Sequence, residues 1–395
     1  MSSFSQSTME PAEEVFPPEL PTGEVKADSI LKRAFKKAGR MLDWVFGFVS
    51  IIAGVALLSV VPILNFLSFG YLLEVSGRIA KSGRLRDGFI GVRKASVFAS
   101  AALGIWLTLF PMRFVASMWR DAELMSGGTP VAEGWRIGLM VITLFTAWHI
   151  CWALIRGGRL RHFFWPAPIR FMRWLNESHN PREQGSKVID FIRSLNFPHY
   201  FQLGAKAFVG ALAFLVLPVG ILIFAGSLPP GGGAFFSLVG AALLVPAVLY
   251  LPFLQARFAV DGQFKTLFEV KKVRALFRRA PIAFWTALLV TLLFALPLYL
   301  LKIELPPKEL TWLISLLFVA FILPARMLTG WAVGRALRRE SERHFLFRWS
   351  SRLASIPVAG IYILFLYLTQ YLSWNGSLSL LEQHAFMVPT PLLGL

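Results

Sequence analysis

The polar or ionisable residues inside long apolar stretches of this sequence include five that we single out: Asn65, Glu74, Arg113, His149 and Arg326. Such groups are costly to place in a bilayer, so each is a candidate functional group. Glu74 and Arg326 have opposite charges, and an ion pair between them that lines a cavity is one hypothesis. The alternative is that the five side chains snorkel to the membrane surface or form hydrogen bonds between helices. A proton-coupled transporter usually has several buried carboxylates, and this sequence offers at most one.

A second set of candidates mixes arginine with aromatic residues, in the segments RLRHFFWPAPIRFMRWL (159–175) and QFKTLFEVKKVRALFRR (263–279). The candidate headgroup ligands are Arg159, Arg161, Arg170, Arg173, Arg278 and Arg279. Interleaved arginine and aromatic residues can stack on nucleic-acid bases. Next to a membrane span, however, they are typical of segments that lie at the interface and bind lipid phosphates. We therefore expect contact with anionic lipid and no binding of nucleic acid.

No enzyme signature is present in the sequence. It lacks the H-E-x-x-H pattern of zinc peptidases, the G-x-S-x-G nucleophile elbow and the Walker lysine loop. Cys151 is the only cysteine, which excludes an intrachain disulfide and a cysteine metal site. Because Cys151 lies in an apolar stretch, we expect it to pack between helices. The sequence predicts a non-enzymatic protein with no catalytic residue, no metal and no cofactor.

The long apolar stretches of the sequence determine the fold class. Hydrophobic residues make up 56% of the chain and charged residues 16%, whereas soluble domains usually carry about 25% charged residues. The apolar stretches occupy 44–75, 95–118, 137–155, 207–226, 234–256, 281–301, 310–334 and 353–373. Each must be helical in lipid, because its backbone groups find no water there. We predict an all-α, polytopic transmembrane helix bundle of about 8–9 spans.

The net charge of +18 is concentrated in alternate connections between the stretches. Six Lys and Arg residues lie in 76–94, nine in 156–206, seven in 257–280 and six in 335–352. The connections between these four carry two basic residues or none. By the positive-inside rule the rich connections are cytoplasmic. This pattern predicts a multi-pass membrane protein with its N-terminus in the cytoplasm and its C-terminus outside.

The stretch 44–75 has 30 uncharged residues from Trp44 to Leu73, about 45 Å as one helix, which exceeds one upright span. We favour a hairpin that breaks at Val61-Pro62 over a single tilted helix kinked at Pro62.

The sequence predicts six segments along the chain. They are a disordered, acidic, proline-rich cytoplasmic tail (1–28), a basic amphipathic interfacial helix (29–43), a first transmembrane repeat with its cytoplasmic loop (44–206), a second repeat with its loop (207–352), a final span (353–373) and a non-cytoplasmic tail (374–395).

The hairpin also suggests an internal duplication. In each of the two proposed halves a hairpin leads through a basic connection to a pair of further helices. The segments VPILNFLSF and VPAVLYLPF are similar, and their alignment places Val61 on Val245. Both halves face the same way, as in transporters built from parallel repeats. We predict a parallel tandem repeat of four-helix units followed by one C-terminal span.

Two blocks of the sequence resemble a known family. GYLLEVSGRIAKSG at Gly70 with the following GFIGVRKASVFASAALGIWLTLFP, and later FAVDGQFKTLFEVKKVRALFRRAPIAFWTALLVTLL, are similar to an uncharacterised prokaryotic domain-of-unknown-function family of polytopic membrane proteins. The resemblance covers 44–118 and 245–300. Where that family usually carries an acidic Glu-Trp-Asp-like stretch, this sequence has GRLRDGF, with Asp87 alone. The resemblance implies membrane residence and no known activity, cofactor or catalytic residue.

The sequence favours one function over two alternatives. We expect a multi-pass integral membrane protein whose basic cytoplasmic face contacts anionic lipid, a partner membrane protein or a second copy of the chain. The first alternative is a transporter or flippase-like carrier for a small or amphipathic solute, with a cavity near the midplane between the two repeats. An intramembrane enzyme that acts on lipid is the third hypothesis.

Overall fold

The part of the chain that the structure describes forms helices and no strands, as predicted. The computed structural model describes residues 24–176, 189–300, 311–372, 376–382, 384 and 387–388. The helices are α1 (Glu24–Val60), α2 (Asn65–Ser82), α3 (Val92–Ser126), α4 (Pro130–Ile155), α5 (Leu160–Phe164), α6 (Pro168–Asn176), α7 (Phe197–Ala225), α8 (Pro230–Asp261), α9 (Val270–Arg279), α10 (Pro281–Leu300), α11 (Thr311–Leu337), α12 (Phe345–Thr369) and α13 (Ser379–Glu382). Short 3-10 turns are η1 (Leu85–Gly88), η2 (Phe264–Phe268) and η3 (Gly376–Leu378).

The chain divides into two units, residues 1–45 and 46–395. In the first unit the predicted interfacial segment 29–43 is helical, and its Arg33, Lys36, Lys37 and Arg40 are exposed. Helix α1 begins at Glu24, so the end of the predicted disordered tail, 24–28, is helical, and residues 1–23 lie outside the described part. All that follows concerns the second unit.

Seven helical segments are long and apolar enough to cross a membrane, and an eighth arises if α9 and α10 count as one span bent by 112°. The chain is therefore a multi-pass helical membrane protein. Helix α2 does not qualify, because its 18 residues include the charged Glu74, Arg78 and Lys81. The described residues thus supply seven or eight spans, and α2 accounts for the difference from the nine that a twice-crossing hairpin requires.

The stretch 44–75 breaks where the sequence predicts. Helix α1 ends at Val60 and α2 begins at Asn65, with Pro62 in the turn between them. The Ser68 hydroxyl donates a hydrogen bond of 2.7 Å to the Val55 carbonyl, which pairs residues on either side of the turn. The two helices are therefore antiparallel, and the single kinked helix is excluded.

The two halves share an elbow. Helix α2 ends at Gly83 and α8 at Gly262, both in the left-handed region (φ 77° and 70°), and their N–H groups donate to Ile79 O and Phe258 O at 2.7 Å. A 3-10 turn and a new helix follow each glycine. Alignment of Gly83 with Gly262 requires a shorter shift along the chain than alignment of Val61 with Val245, so the two elbows and the two apolar segments do not share one alignment without a gap. The tandem repeat stays a prediction.

Glycine allows α2 to pack closely on two of its neighbours from the second half, α7 and α11. A Cβ atom on Gly204 of α7 would lie 2.0 Å from the Phe66 carbonyl oxygen of α2. A Cβ atom on Gly330 of α11 would lie 2.4 Å from the Ser76 carbonyl oxygen. These distances leave no room for a side chain, so backbone touches backbone at both crossings. Helix α2 is the element that joins the two halves.

The C-terminal region differs from the expected outer tail. The predicted final span corresponds to α12, and the chain then turns back. Leu380 and Met387 are fully buried in the main core, and Gln255 of α8 donates a hydrogen bond of 2.5 Å to the Met387 carbonyl. The described residues of 374–395 therefore belong to the bundle, because their apolar side chains find partners there.

Candidate functional site

The basic connections lie together at one end of the second unit. Three hydrogen bonds link them: Lys94 Nζ to Ser194 O (2.9 Å), Arg343 N to Arg278 O (3.0 Å) and Arg338 Nη1 to Ala80 O (3.4 Å). Each bond joins two of the four basic connections or the helix ends that border them. The positive charges that alternate along the sequence are thus gathered on one face of the bundle.

After α4 the chain folds back against the α3–α4 hairpin. Gly157 and Gly158 have φ values of 105° and 62°, which reverse the chain direction. The Phe163 ring of α5 then fills the space beside Gly104 of α3, where a Cβ atom would lie 2.2 Å from the ring. His149 Nε2 bonds to the Phe163 carbonyl at 2.8 Å. His149, predicted as an intramembrane candidate, therefore anchors this reversal.

Arg156 is held by the backbone of the same reversal. Its Nη2 atom donates to the His162 carbonyl (2.5 Å) and to the Trp165 carbonyl (2.8 Å). Its Cζ atom lies 5.4 Å from the centroid of the Trp152 ring, within the range of a cation–π contact. The guanidinium is fixed before any ligand arrives, which lowers the entropic cost of binding an anion.

An open cavity of about 350 Å³ lies next to Arg156 and is lined by Trp152, Arg156, His162, Arg170, Arg173 and Trp174. We call it the basic pocket. Its two tryptophan rings are 5.6 Å apart between centroids and form one wall. Among the residues that the structure describes, its lining carries three guanidinium groups and no carboxylate. Guanidinium groups match the geometry of phosphate oxygens, so this arrangement suits an oxyanion attached to an apolar body.

The positive surroundings lower the pKa values of two groups in the pocket. Burial and then the charge of Arg156 lower the pKa of His162 below its ordinary 6.5. Burial and the neighbouring Arg170 lower the pKa of Arg156 from its usual range. Both shifts reflect burial first and then positive charges held close together. A bound anion would oppose both shifts, since it favours the charged form of each group.

The six predicted headgroup ligands have different environments. Arg170 and Arg173 line the basic pocket, while Arg159 and Arg161 are exposed on the preceding α5 segment outside its lining. Arg156 was expected only as one basic residue of a loop. Its role depends on two carbonyl groups that the glycine reversal turns towards it, and residue types alone do not predict that.

The other two predicted ligands lie in the second half. Arg278 donates to Glu342 Oε1 at 3.4 Å, and the same carboxylate pairs with Arg348. Arg279 is partly exposed at the end of α9. Because Glu342 offsets the charge of Arg278, this pair is a weaker anion site than the basic pocket.

Glu74 does not pair with Arg326, so that hypothesis is wrong. Glu74 Oε1 accepts from Arg78 Nε at 2.8 Å, and Oε2 lies 3.1 Å from His199 Nε2. Arg326 is buried in α11, with its Cζ atom 5.3 Å from the centroid of the Phe69 ring. Arg78 is one helical turn from Glu74 and satisfies it locally.

The remaining candidates, Asn65, Arg113 and Cys151, do not line the basic pocket and do not join the ion pairs described above. Asn65 is buried at the start of α2, and its Oδ1 atom accepts no hydrogen bond from the described residues. Arg113 is exposed on α3, and Cys151, expected to pack between helices, is exposed on α4. The structure does not bring the five polar candidates together in one site.

Comparison with known proteins finds no matching family model, no matching curated protein and no matching solved structure. The resemblance to a family of polytopic membrane proteins stays a prediction, and function rests on the geometry of the chain.

Proposed function

We propose that this multi-pass membrane protein binds the phosphate headgroups of anionic lipids at its basic end, with the basic pocket as the principal site. The observation that carries the proposal is the fixed Arg156 guanidinium, which shares an open pocket with Arg170, Arg173 and two tryptophan rings. The basic end is the cytoplasmic face of a prokaryotic inner membrane in this proposal, and the protein is not an enzyme. A partner membrane protein or a second copy of the chain is a further expected contact.

The apolar surroundings favour lipid over nucleic acid as the source of the phosphate. Phe164, Trp165, Ile169 and Met172 are 72%, 68%, 69% and 66% exposed around the pocket. Side chains of this kind are costly in water and stable in the interfacial layer of a membrane. A nucleic acid would leave them in water, whereas a lipid supplies both the phosphate and an apolar environment.

The carrier alternative has less support. A cavity between the repeats requires the helices of the two halves to stand apart near the midplane. At the basic end, where α2 crosses α8, a Cβ atom on Gly77 would lie 2.8 Å from the Ala259 carbonyl oxygen. The halves are in backbone contact there, so such a cavity would be closed towards the basic end.

Native mass spectrometry of the purified protein tests the proposal. The variant Arg170→Gln/Arg173→Gln should retain about five- to thirtyfold less phosphatidylglycerol or cardiolipin, since each basic residue near an anionic surface contributes about 1 kcal/mol. The matched control, Arg120→Gln/Arg136→Gln, removes two exposed arginines from α3 and α4 outside the pocket and should retain lipid as the wild type does. Equal lipid retention in the two variants, or specific RNA binding by the wild type, would refute the proposal.

A further inference from the structure

A second open cavity, of about 280 Å³, lies between α8, α9, α10 and α12 in the second half. We call it the lateral groove. Its inner wall is aromatic: the Phe253 and Phe284 rings stack at 4.4 Å between centroids, and Phe277 meets Phe284 edge-on at 6.0 Å. Leu288 and Ile356 continue the apolar lining. These side chains form a surface suited to an acyl chain.

Two arginines stand in the lining of this apolar groove. Arg274 belongs to α9 and Arg352 to α12. The Arg352 Cζ atom lies 5.9 Å from the centroid of the Phe277 ring and 6.0 Å from that of the Trp349 ring. Neither guanidinium forms a hydrogen bond or an ion pair with any residue that the structure describes. Two positive charges without a counter-ion beside an apolar wall are complementary to a single kind of molecule, an anion with a hydrocarbon tail.

The elbow of the first half can be compared with that of the second half position by position. When Gly83 is aligned with Gly262, Phe253 takes the position of Glu74, and Arg274 takes the position of Ala95. In the first half Glu74 is paired with His199, and next to Ala95 the Lys94 ammonium donates to Ser194 O at 2.9 Å. The second half has a phenyl ring in place of the carboxylate and an added arginine. Arg257 of the second half is paired with Asp261 and Glu269, but the added Arg274 forms no ion pair with any residue that the structure describes.

We propose that the lateral groove binds one phospholipid molecule, with the phosphate between Arg274 and Arg352 and an acyl chain along Phe284, Leu288 and Ile356. This site is separate from the basic pocket, and it rests on the membrane location of the protein but not on binding at that pocket. The amphipathic lining selects a lipid over free phosphate, because inorganic phosphate would leave the apolar wall uncovered.

Photocrosslinking tests this site. The full chain is reconstituted in nanodiscs that contain phosphatidylglycerol with a diazirine on its acyl chain, and crosslinked peptides are identified by mass spectrometry. We expect crosslinks on the α10 and α12 peptides that contain Leu288 and Ile356. Arg274→Gln/Arg352→Gln should lower this crosslinking by about tenfold or more. Ile356→Trp, at a residue that is 59% exposed, should lower it by obstructing the groove without disturbing the core.

The outcomes separate this proposal from the preceding one. Arg170→Gln/Arg173→Gln should leave the groove crosslinks unchanged, so loss of lipid at one site does not predict loss at the other. The inference is overturned if the wild type gives no crosslink on these peptides, or if Arg274→Gln/Arg352→Gln crosslinks as the wild type does. It is also overturned if excess inorganic phosphate abolishes the crosslink, because the site then binds phosphate rather than lipid.

Discussion

The crossing of α2 and α7 makes a sharp prediction about stability. A Cβ atom on Gly204 would lie 2.0 Å from Phe66 O, and ordinary van der Waals contact begins at 3.4 Å. Gly204→Ala must therefore push the helices apart by more than an ångström or distort the α2 backbone. Overpacking of this kind costs about 1–3 kcal/mol. Because Ala is about 1 kcal/mol better than Gly in a helix, part of this cost is offset.

Gly220 provides the matched control, since it lies on the same helix and a Cβ atom there meets nothing within 4 Å. Gly220→Ala should keep the gain in helix propensity without any clash. We expect the free energy of unfolding of Gly204→Ala to be about 1–3 kcal/mol below that of Gly220→Ala. The assay is reversible SDS unfolding in mixed micelles. Equal values, within about 0.5 kcal/mol, would mean that α2 and α7 do not cross at this glycine.

Three further predictions concern the elbows, the pocket and the topology. In the same SDS assay, Gly262→Ala should lower the free energy of unfolding by about 1–2 kcal/mol because φ is positive at this residue. Gly83→Ala should lower the free energy of unfolding by at least as much. Because the pKa of His162 lies below 6.5, its protonation below that pH should increase phosphatidylglycerol retention, and His162→Phe should abolish this increase in native mass spectrometry. In a Cys151→Ser background, Ser227→Cys should react with a membrane-impermeant maleimide added outside cells, and an unreactive thiol would contradict the proposed orientation.

The helices were predictable because each uncharged stretch has one way to satisfy its backbone in lipid. The break at Pro62 also followed from length. The tandem repeat stays a prediction, since VPILNFLSF and VPAVLYLPF are apolar and such segments match by chance. The similar elbows at Gly83 and Gly262 align at a different shift, and both glycines are visible in the sequence once left-handed helix ends are sought.

The binding residues were harder to predict than the helices. Arg170 and Arg173 stood out because aromatic residues surround them, and both line the basic pocket. Arg156 and Arg352 did not stand out, because nothing in their local sequence separates them from other loop arginines, and Arg274 lay in the segment 263–279 but was not among the candidate ligands. Tertiary structure distinguishes them. Two backbone carbonyl groups are turned towards Arg156, and Arg274 and Arg352 have no counter-ion among the described residues.

The two elbows illustrate how the same backbone turn can carry different side chains. Arg78 and Arg257 occupy equivalent positions when the elbow glycines are aligned, and each forms ion pairs close to its own elbow. Glu74 of the first elbow corresponds to Phe253 of the second, and Phe253 lines the lateral groove together with Arg274. The elbow glycine and the 3-10 turn recur in both halves, so this exchange changes the charge beside the turn without altering the turn itself. Phe253→Glu should therefore neutralise the lateral groove and lower its lipid crosslinking, while the opposite charge at Arg274 offsets the burial cost of the new carboxylate.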